Sequence, residues 1–132
     1  MATIKRFEDI ESWKLAKDLC AKIGKHIDDG KFKKNFRLID QIEGSSGSIM
    51  DNIAEGFERG SKGEFILFLG YAKGSSGEFR SQLYRALNRQ YINQTEFDEL
   101  YELAIRISGL LQKFIEYLLK TTIAGTRKNV KP

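Results

Sequence analysis

The sequence contains one cysteine, Cys20, and one proline, Pro132, among its 132 residues. A single cysteine excludes an internal disulfide and suits a reducing compartment, so we expect a cytoplasmic protein. Proline inside a helix costs about 3 kcal/mol, and here the only proline is the last residue. The chain can therefore form long helices without interruption.

Long apolar runs are also absent. No stretch approaches the roughly 20 consecutive apolar residues that a membrane-spanning helix needs. The opening segment, residues 1–13, has no apolar centre of the kind that a secretory signal contains. We therefore expect no membrane partner.

The residues that build catalytic and metal sites are scarce. His26 is the only histidine and Cys20 the only thiol, so the chain cannot supply the usual ligand set of a zinc site. The Glu-x-x-His pairs of di-iron bundles are missing, and residues 70–78 lack the Gly-Lys-Ser/Thr ending of a phosphate-binding loop. We expect no enzymatic activity and no catalytic, metal-binding or cofactor-binding residue.

The excess of positive charge is small and lies mostly at the C-terminus. The chain has 22 basic and 18 acidic side chains, for a net charge of +4. Arg127, Lys128 and Lys131 fall within residues 121–132, which contain no acid, so residues 1–120 hold 22 − 3 = 19 basic and 18 acidic side chains. We predict a nearly neutral folded body and a basic, disordered tail over residues 122–132.

The sequence does contain strong helical periodicity. Apolar residues recur three and four positions apart in four segments, which predict helices over residues 9–28, 35–58, 62–90 and 94–121. No segment shows the alternation of a β-strand. Connections this short make successive helices antiparallel. The sequence therefore predicts one all-α domain, residues 1–121, folded as an antiparallel up-down-up-down four-helix bundle.

Capping residues mark the predicted helix ends. Asp9 is expected to cap the first helix, because its carboxylate can accept hydrogen bonds from the first backbone N–H groups. Ser61 with Glu64, and Asn93 with Glu96, have the spacing of capping boxes. Glycines follow the first two predicted helices, as is typical where a helix ends: Gly30 and Gly60.

Two near-copies of one motif, EGSSGS at 43–48 and KGSSGE at 73–78, fall inside predicted helices. The apolar spacing continues through both copies, so we place them in helices rather than in loops. Each interior glycine costs about 1 kcal/mol relative to alanine. Some other role should offset these glycines.

The third predicted helix has two distinct sides. Its core side is predicted to carry Phe65, Phe68, Ala72, Phe79 and Leu83. The nearly opposite side is a stripe of small residues, with Ile66 at its edge: Gly63, Gly70, Gly74, Gly77 and Ser81. Small residues allow a second backbone to approach closely, so we predict that this stripe and Ile66 form a subunit interface. The alternative is that the glycines are neutral on an exposed face or mark a kink.

Basic residues form several small groups. Arg85 and Arg89 are one helical turn apart, and Arg59 and Lys62 flank the turn between the second and third helices. A further group surrounds the first turn: Lys31, Lys33, Lys34 and Arg37. Basic groups can pair with phosphates, and the candidate nucleic-acid-binding residues are Arg59, Lys62, Arg85, Arg89, Arg127 and Lys128. The alternative is that these groups are ordinary solvated helix surface.

Three segments carry a family resemblance: FEDIESWKLA at 7–16, SIMDNIAEGFERGSKGEFILFLGYAKGSSGE at 48–78 and QLYRAL at 82–87. In order and spacing they resemble the four-helix-bundle proteins encoded by intervening sequences of bacterial large-subunit ribosomal RNA genes. That family includes relatives of the accessory variability protein of diversity-generating retroelements. The chain differs from the family pattern at Glu43 and Gly44, where a basic pair is common, and at Met50, where a proline is common.

The resemblance implies an up-down bundle that assembles into a ring-like homopentamer and has no established enzymatic activity. For the retroelement relatives it also implies a basic surface that binds nucleic acid and contacts a reverse transcriptase. We therefore expect a non-enzymatic, oligomeric accessory protein that binds RNA or DNA through basic surface. The alternative is a protein–protein interaction scaffold with no nucleic-acid role.

Overall fold

The computed structural model describes residues 4–121, and four helices occupy most of them. The helices are α1 (Glu11–Asp28), α2 (Phe36–Glu58), α3 (Lys62–Asn88) and α4 (Gln94–Lys120). Each predicted bound lies within two residues of the observed one. The contacts run from α1 to α2, α3, α4 and back to α1, and no segment of residues 4–121 forms a strand. The predicted all-α, up-down-up-down four-helix bundle is confirmed, while the predicted tail, residues 122–132, lies outside the described residues.

The start of α1 differs from the prediction. Asp9 does not cap the helix, because Phe7–Asp9 form a 3-10 turn and Ile10 occupies the N-cap position without a side-chain hydrogen bond. Ile10 is only 2% exposed. Burying an isoleucine contributes about 1.5–3 kcal/mol, whereas a polar cap contributes about 1 kcal/mol, so packing decides where this helix begins.

The other three helices begin with side-chain caps. The Asn35 Oδ1 accepts a hydrogen bond from the Leu38 backbone N–H at 3.1 Å. Asn93 and Glu96 form the full capping box, since each side chain accepts from the other's backbone N–H, at 2.8 and 2.9 Å. The Ser61 Oγ accepts from the Glu64 N–H at 3.2 Å and donates to the Glu64 carboxylate at 3.1 Å.

Three helices are followed by a residue in the left-handed region of backbone space. Gly30 and Gly60 have φ values of +79° and +85°, as expected of glycines after a helix. After α3 the same position is held by Gln90, with φ +61°. The Gln90 N–H bonds the Leu87 carbonyl and the Tyr91 N–H bonds the Ala86 carbonyl, so α3 ends at Asn88 in a Schellman motif.

The core side of α3 also differs at one position. Leu69 is fully buried, whereas Phe68, which was predicted to be in the core, is half-buried. The Phe68 ring lies at the edge of the α2–α3 contact, with the Arg59 guanidinium 5.0 Å from its centroid. A Cβ added at Gly56 would lie 2.6 Å from the Phe68 Cβ, so Gly56 allows α2 to approach α3 closely here.

Both GSSG motifs lie within helices, as predicted, and their serines face the bundle interior. The Ser75 Oγ donates to the Ser48 Oγ at 3.0 Å, and the Ser76 Oγ donates to the Ala104 carbonyl at 3.0 Å. These partners remove the penalty for burying a hydroxyl among apolar groups. The flanking glycines point outward: a Cβ added at Gly44 or Gly74 would meet no atom within 4 Å.

Candidate nucleic-acid interface

The predicted basic residues divide between the two ends of the bundle. The α1–α2 and α3–α4 turns lie at one end of the bundle, which we call the two-turn end and which includes residues 29–37 and 85–93. The α2–α3 turn lies at the other end, which we call the single-turn end and which includes residues 58–62. Arg85 and Arg89 lie at the two-turn end. Arg59 and Lys62 lie at the single-turn end, about 35 Å away along α3 at 1.5 Å per residue. Arg127 and Lys128 lie outside the described residues.

At the single-turn end, Arg59 forms ion pairs within the protein. The Arg59 guanidinium donates to Glu55 at 2.8 Å and to Glu64 at 3.3 Å, and it also covers the Phe68 ring. The hydrogen bond to Glu55, together with the charges of both carboxylates, raises the pKa of Arg59. Two acidic partners leave little net charge here for a phosphate.

Lys62 also has an internal partner. Its ammonium donates a hydrogen bond to the Thr121 carbonyl at 2.9 Å. Thr121 is the C-cap of α4, so the lysine satisfies a backbone carbonyl where the helix ends. A cation is also favourable near the negative end of the helix dipole. The single-turn end thus uses its basic residues to hold α2, α3 and α4 together.

At the two-turn end, the arginines have no acidic partner. Arg85 donates to the neutral Gln41 side chain at 2.7 Å, and the Arg89 guanidinium lies 5.8 Å from the Tyr91 ring centroid. Among residues 4–121, no carboxylate oxygen lies within 4.0 Å of either guanidinium. Both arginines are exposed and line a cleft of about 230 Å³ with Asn35, Leu38 and Asn88.

Two segments without acidic residues meet at this end. Residues 31–37 contain four basic side chains and no acid, and residues 79–95 contain Arg80, Arg85 and Arg89 and no acid. The Asn35 side chain donates to the Tyr91 hydroxyl at 3.2 Å, and the Phe32 and Tyr91 rings are 5.6 Å apart. These contacts place the first turn beside the end of α3.

Lys31 is an exception within this group. Its ammonium bonds to the Glu96 carboxylate and, at 2.9 Å, to the Nδ1 atom of His26. Burial, followed by the charge of Lys31, lowers the pKa of His26, while the Lys31 hydrogen bond lowers the pKa of Glu96. This cluster joins the C-terminal end of α1 to the start of α4. It leaves five exposed cations, here called the basic face: Lys33, Lys34, Arg37, Arg85 and Arg89.

Sequence reasoning missed an aromatic residue beside the basic face. Phe36, the first residue of α2, is 66% exposed. Trp13, in contrast, is half-buried and packs edge-on against Phe7 at 5.2 Å, as expected for a structural residue. The signal in the sequence was an aromatic residue at the edge of the α2 apolar stripe, three residues before Ile39 and directly before Arg37.

The predicted interface stripe lies on the outer side of α3. Gly63, Gly70, Gly74 and Ser81 are exposed, while Gly77 and Ile66 are half-buried. A Cβ added at the first three glycines would meet no atom within 4 Å, and one at Gly77 would meet only Arg80, at 3.7 Å. Large side chains along the same helix are about half exposed: Leu67, Tyr71 and Tyr84. Nothing among residues 4–121 covers this side of α3.

Two features are absent from the described part of the chain. Between residues 4 and 121 there is no group of three or more His, Cys, Asp or Glu side chains placed to hold a metal ion. No helix in that range has the length and apolar character needed to cross a membrane.

The fold and the site define a small all-α bundle protein with a group of exposed cations at one end and one uncovered helix face. The chain belongs to the family of 23S rRNA-intervening sequence proteins, whose family model matches residues 8–113. A comparison with curated protein sequences finds no match. The family resemblance noted in the sequence is confirmed, while the relation to retroelement proteins stays a prediction.

A solved structure shares the fold. It is a crystal structure at 1.70 Å resolution of a protein of unknown function from the S23 ribosomal protein family of Bacteroides thetaiotaomicron VPI-5482. The two chains are 22% identical and superpose with a TM-score of 0.73, covering 80% of this chain and 98% of the other. This similarity establishes the shared architecture, and the predicted pentamer stays a prediction.

Proposed function

We propose that this protein is a non-catalytic, self-associating accessory factor of the cytoplasm that binds nucleic acid through the basic face. The observation that carries the proposal is the set of five exposed cations at the two-turn end. Arg85 and Arg89 there have no carboxylate within 4.0 Å among residues 4–121, unlike Arg59. The family is named for intervening sequences of 23S rRNA, so structured RNA is the first ligand to test and DNA the second.

The physical basis is the release of counterions from the phosphate backbone. Each phosphate that a lysine or arginine neutralises contributes about −0.9 to the slope of log K against log salt on a duplex. A basic face with five cations predicts a slope of about −4 for one chain if nearly all of them contact phosphates. Self-association would repeat the face and raise the affinity for a long RNA through multivalency.

The test is RNA binding measured at several salt concentrations for matched double variants. Arg85→Ala with Arg89→Ala should lower the affinity at low salt and reduce the slope by about 2. The control is Lys14→Ala with Lys17→Ala, which removes two exposed cations of α1 and should change binding little. Binding that is absent at low salt, or equal losses in both double variants, would contradict the proposal.

Self-association is proposed through the α3 stripe, with a second copy of the chain as the occupant. Support comes from glycines that the chain's own packing does not require and from the exposed apolar side chains beside them. Gly74→Trp should reduce the mass measured by light scattering, since a bulky side chain would separate the two backbones. Gly44→Trp is the control, because Gly44 is equally open but lies on α2. An unchanged mass for Gly74→Trp would remove the stripe from the interface; a pentamer is the number that the family resemblance suggests.

A second candidate function is a protein-interaction scaffold. It is favoured by the near-neutral body and by the acidic character of α2, since residues 38–58 contain five acids and no basic residue. A reverse transcriptase is one such partner that the resemblance suggests. A protein that co-purifies with the chain after nuclease treatment, together with no RNA binding at low salt, would favour the scaffold.

A further inference from the structure

The first residue of α2 is a large apolar side chain that lies outside the core of the bundle. Phe36 is 66% exposed, while Leu38, two residues further on, is 1% exposed and faces the core. Phe36 pairs with no other ring among residues 4–121. Phenylalanine is also a weaker helix former than alanine or lysine. Neither packing nor helix formation therefore requires an aromatic residue at this position.

The sequence neighbours of Phe36 are basic, and the nearest acid on the same face of α2 is Asp40, one helical turn further on. Lys33 and Lys34 precede Phe36, Arg37 follows it, and all three are exposed. Asn35, the residue before it, lines the cleft that contains Arg85 and Arg89. An aromatic ring among cations is the combination that binds single strands, in which cations contact phosphates and rings stack on bases.

We propose that Phe36 is a stacking platform for an unpaired base and that the basic face therefore prefers single-stranded RNA to duplex RNA. In a duplex the base faces are covered by neighbouring base pairs, so only the cations of the basic face can contribute. In a single strand an unpaired base can also stack on the Phe36 ring. Stacking on one aromatic residue is expected to tighten binding by about tenfold or more. This inference rests on the proposed function.

The surroundings argue against two other uses of the ring. Insertion into a membrane needs a wider apolar surface, whereas Asn35, Arg37 and the exposed Asp40, one helical turn from Phe36, are polar or charged. A contact between copies of the chain would bring the like charges of two basic faces together, which is unfavourable. Single-stranded RNA is the partner whose charge complements this site.

The test compares oligouridine with an RNA duplex of equal phosphate number, at one low salt concentration. The wild-type protein should bind the single strand more tightly. Phe36→Ala should weaken single-strand binding about tenfold and leave duplex binding unchanged. Phe36→Leu, which keeps apolar area but has no ring, should behave like Phe36→Ala, and Phe36→Trp should retain the preference.

A direct readout of stacking is available because Trp13 is the only tryptophan. In a Phe36→Trp, Trp13→Phe protein, oligouridine should quench the fluorescence, and the duplex should quench it little. If both RNAs bind and Phe36→Ala lowers neither affinity, or lowers both equally, the stacking inference is wrong and the proposed function stands. A Phe36→Ala protein that changes mass in light scattering would make Phe36 a subunit contact instead. If the wild-type protein binds neither RNA, the proposed function itself is contradicted.

Discussion

The two ends of the bundle contain similar residues but use them differently. Arg59 at the single-turn end and Arg85 at the two-turn end are both exposed arginines. Arg59 contacts two carboxylates and a phenylalanine ring, whereas Arg85 contacts a neutral glutamine. The comparison shows that the charge available to a ligand depends on the partners of each basic residue, not on how many basic residues an end contains.

The same contrast appears among the lysines. At the single-turn end, Lys62 donates a hydrogen bond to the Thr121 carbonyl and so joins α3 to the end of α4. At the two-turn end, Lys31 contacts Glu96 and His26 and so joins the first turn to α4 and α1. At the two-turn end, however, further cations remain in the same turn, at Lys33 and Lys34. Structural contacts therefore occupy both basic residues of the α2–α3 turn but only part of those in the turns at the two-turn end.

Charge reversal should give the largest difference in RNA affinity between the two ends. Arg85→Glu with Arg89→Glu should lower RNA affinity about 100-fold at low salt, because two attractive phosphate contacts become repulsive. The melting temperature should fall only modestly, since neither arginine has an acidic partner among residues 4–121 but both lie at the negative end of the α3 dipole. Filter binding and thermal unfolding measure the two effects.

The matched variant, Arg59→Glu, should show the reverse behaviour. It places a third carboxylate beside Glu55 and Glu64, so the melting temperature should fall, while RNA affinity should change less than about threefold. Equal losses of affinity in the two proteins would mean that the ends do not differ in function.

A substitution that disturbs packing at the single-turn end should give the next largest effect, on the free energy of unfolding. Gly56→Ala should lower the free energy of unfolding by about 2 kcal/mol, because the new methyl group would overlap Phe68 and force α2 and α3 apart. Gly44→Ala is the control and should raise that free energy by up to about 1 kcal/mol, since the site is open and alanine favours helix. Urea unfolding measures both, and a neutral Gly56→Ala would contradict the close α2–α3 contact.

A smaller effect is expected at the turn between α3 and α4. Gln90→Gly should raise the free energy of unfolding by about 0.5–1 kcal/mol, because the left-handed conformation is strained for glutamine. Gly60→Ala, which places a side chain in the same conformation after α2, should lower that free energy by a similar amount. The two variants should change the free energy of unfolding in opposite directions. Changes in the same direction would contradict the left-handed conformations of Gln90 and Gly60.

The smallest effect is expected from His26. Burial and Lys31 lower the folded-state pKa of His26 below its usual 6.5, while Glu96, Glu99 and Asp29 act in the opposite direction. Folding therefore favours the neutral imidazole of His26. Its contribution to the free energy of unfolding is complete above pH 6.5 and is lost as the pH falls below that value. Glu96, whose pKa is lowered, loses its contribution only in a more acidic range, below its usual 4.5.

Urea unfolding between pH 7.5 and about pH 5 tests the direction of the His26 pKa shift. The wild-type protein should lose stability as the pH falls from 6.5, and His26→Gln should show a flatter profile over the same range. A wild-type protein that gains stability on acidification would mean that the His26 pKa is raised instead.

The apolar spacing of the sequence was sufficient to predict the four helices and their bounds to within two residues. It could not choose between Phe68 and Leu69, since both lie three or four residues from Phe65 and Ala72. The choice depends on how closely α2 approaches α3, which Gly56 controls. The end of α3 was missed for a similar reason: Gln90 adopts a conformation that sequence patterns associate with glycine.

The candidate site was predicted only in part. The sequence groups Arg85 and Arg89 with Arg59 and Lys62 as candidate binding residues, although the two pairs lie at opposite ends of the bundle. One local signal could have separated them, since Glu55 lies four residues before Arg59 on the same helix face. The contacts of Lys31 with Glu96 and of Asn35 with Tyr91 join residues far apart in sequence, so only the fold reveals that the two acid-free segments meet.

The most direct test of the basic face is to map RNA binding onto backbone amides by NMR. During titration with RNA at low salt, the amide signals of residues 31–37 and 85–91 should shift, and those of residues 55–64 should not. Larger shifts at residues 55–64 than at the two-turn end, or shifts spread evenly along all four helices, would contradict the assignment of the basic face.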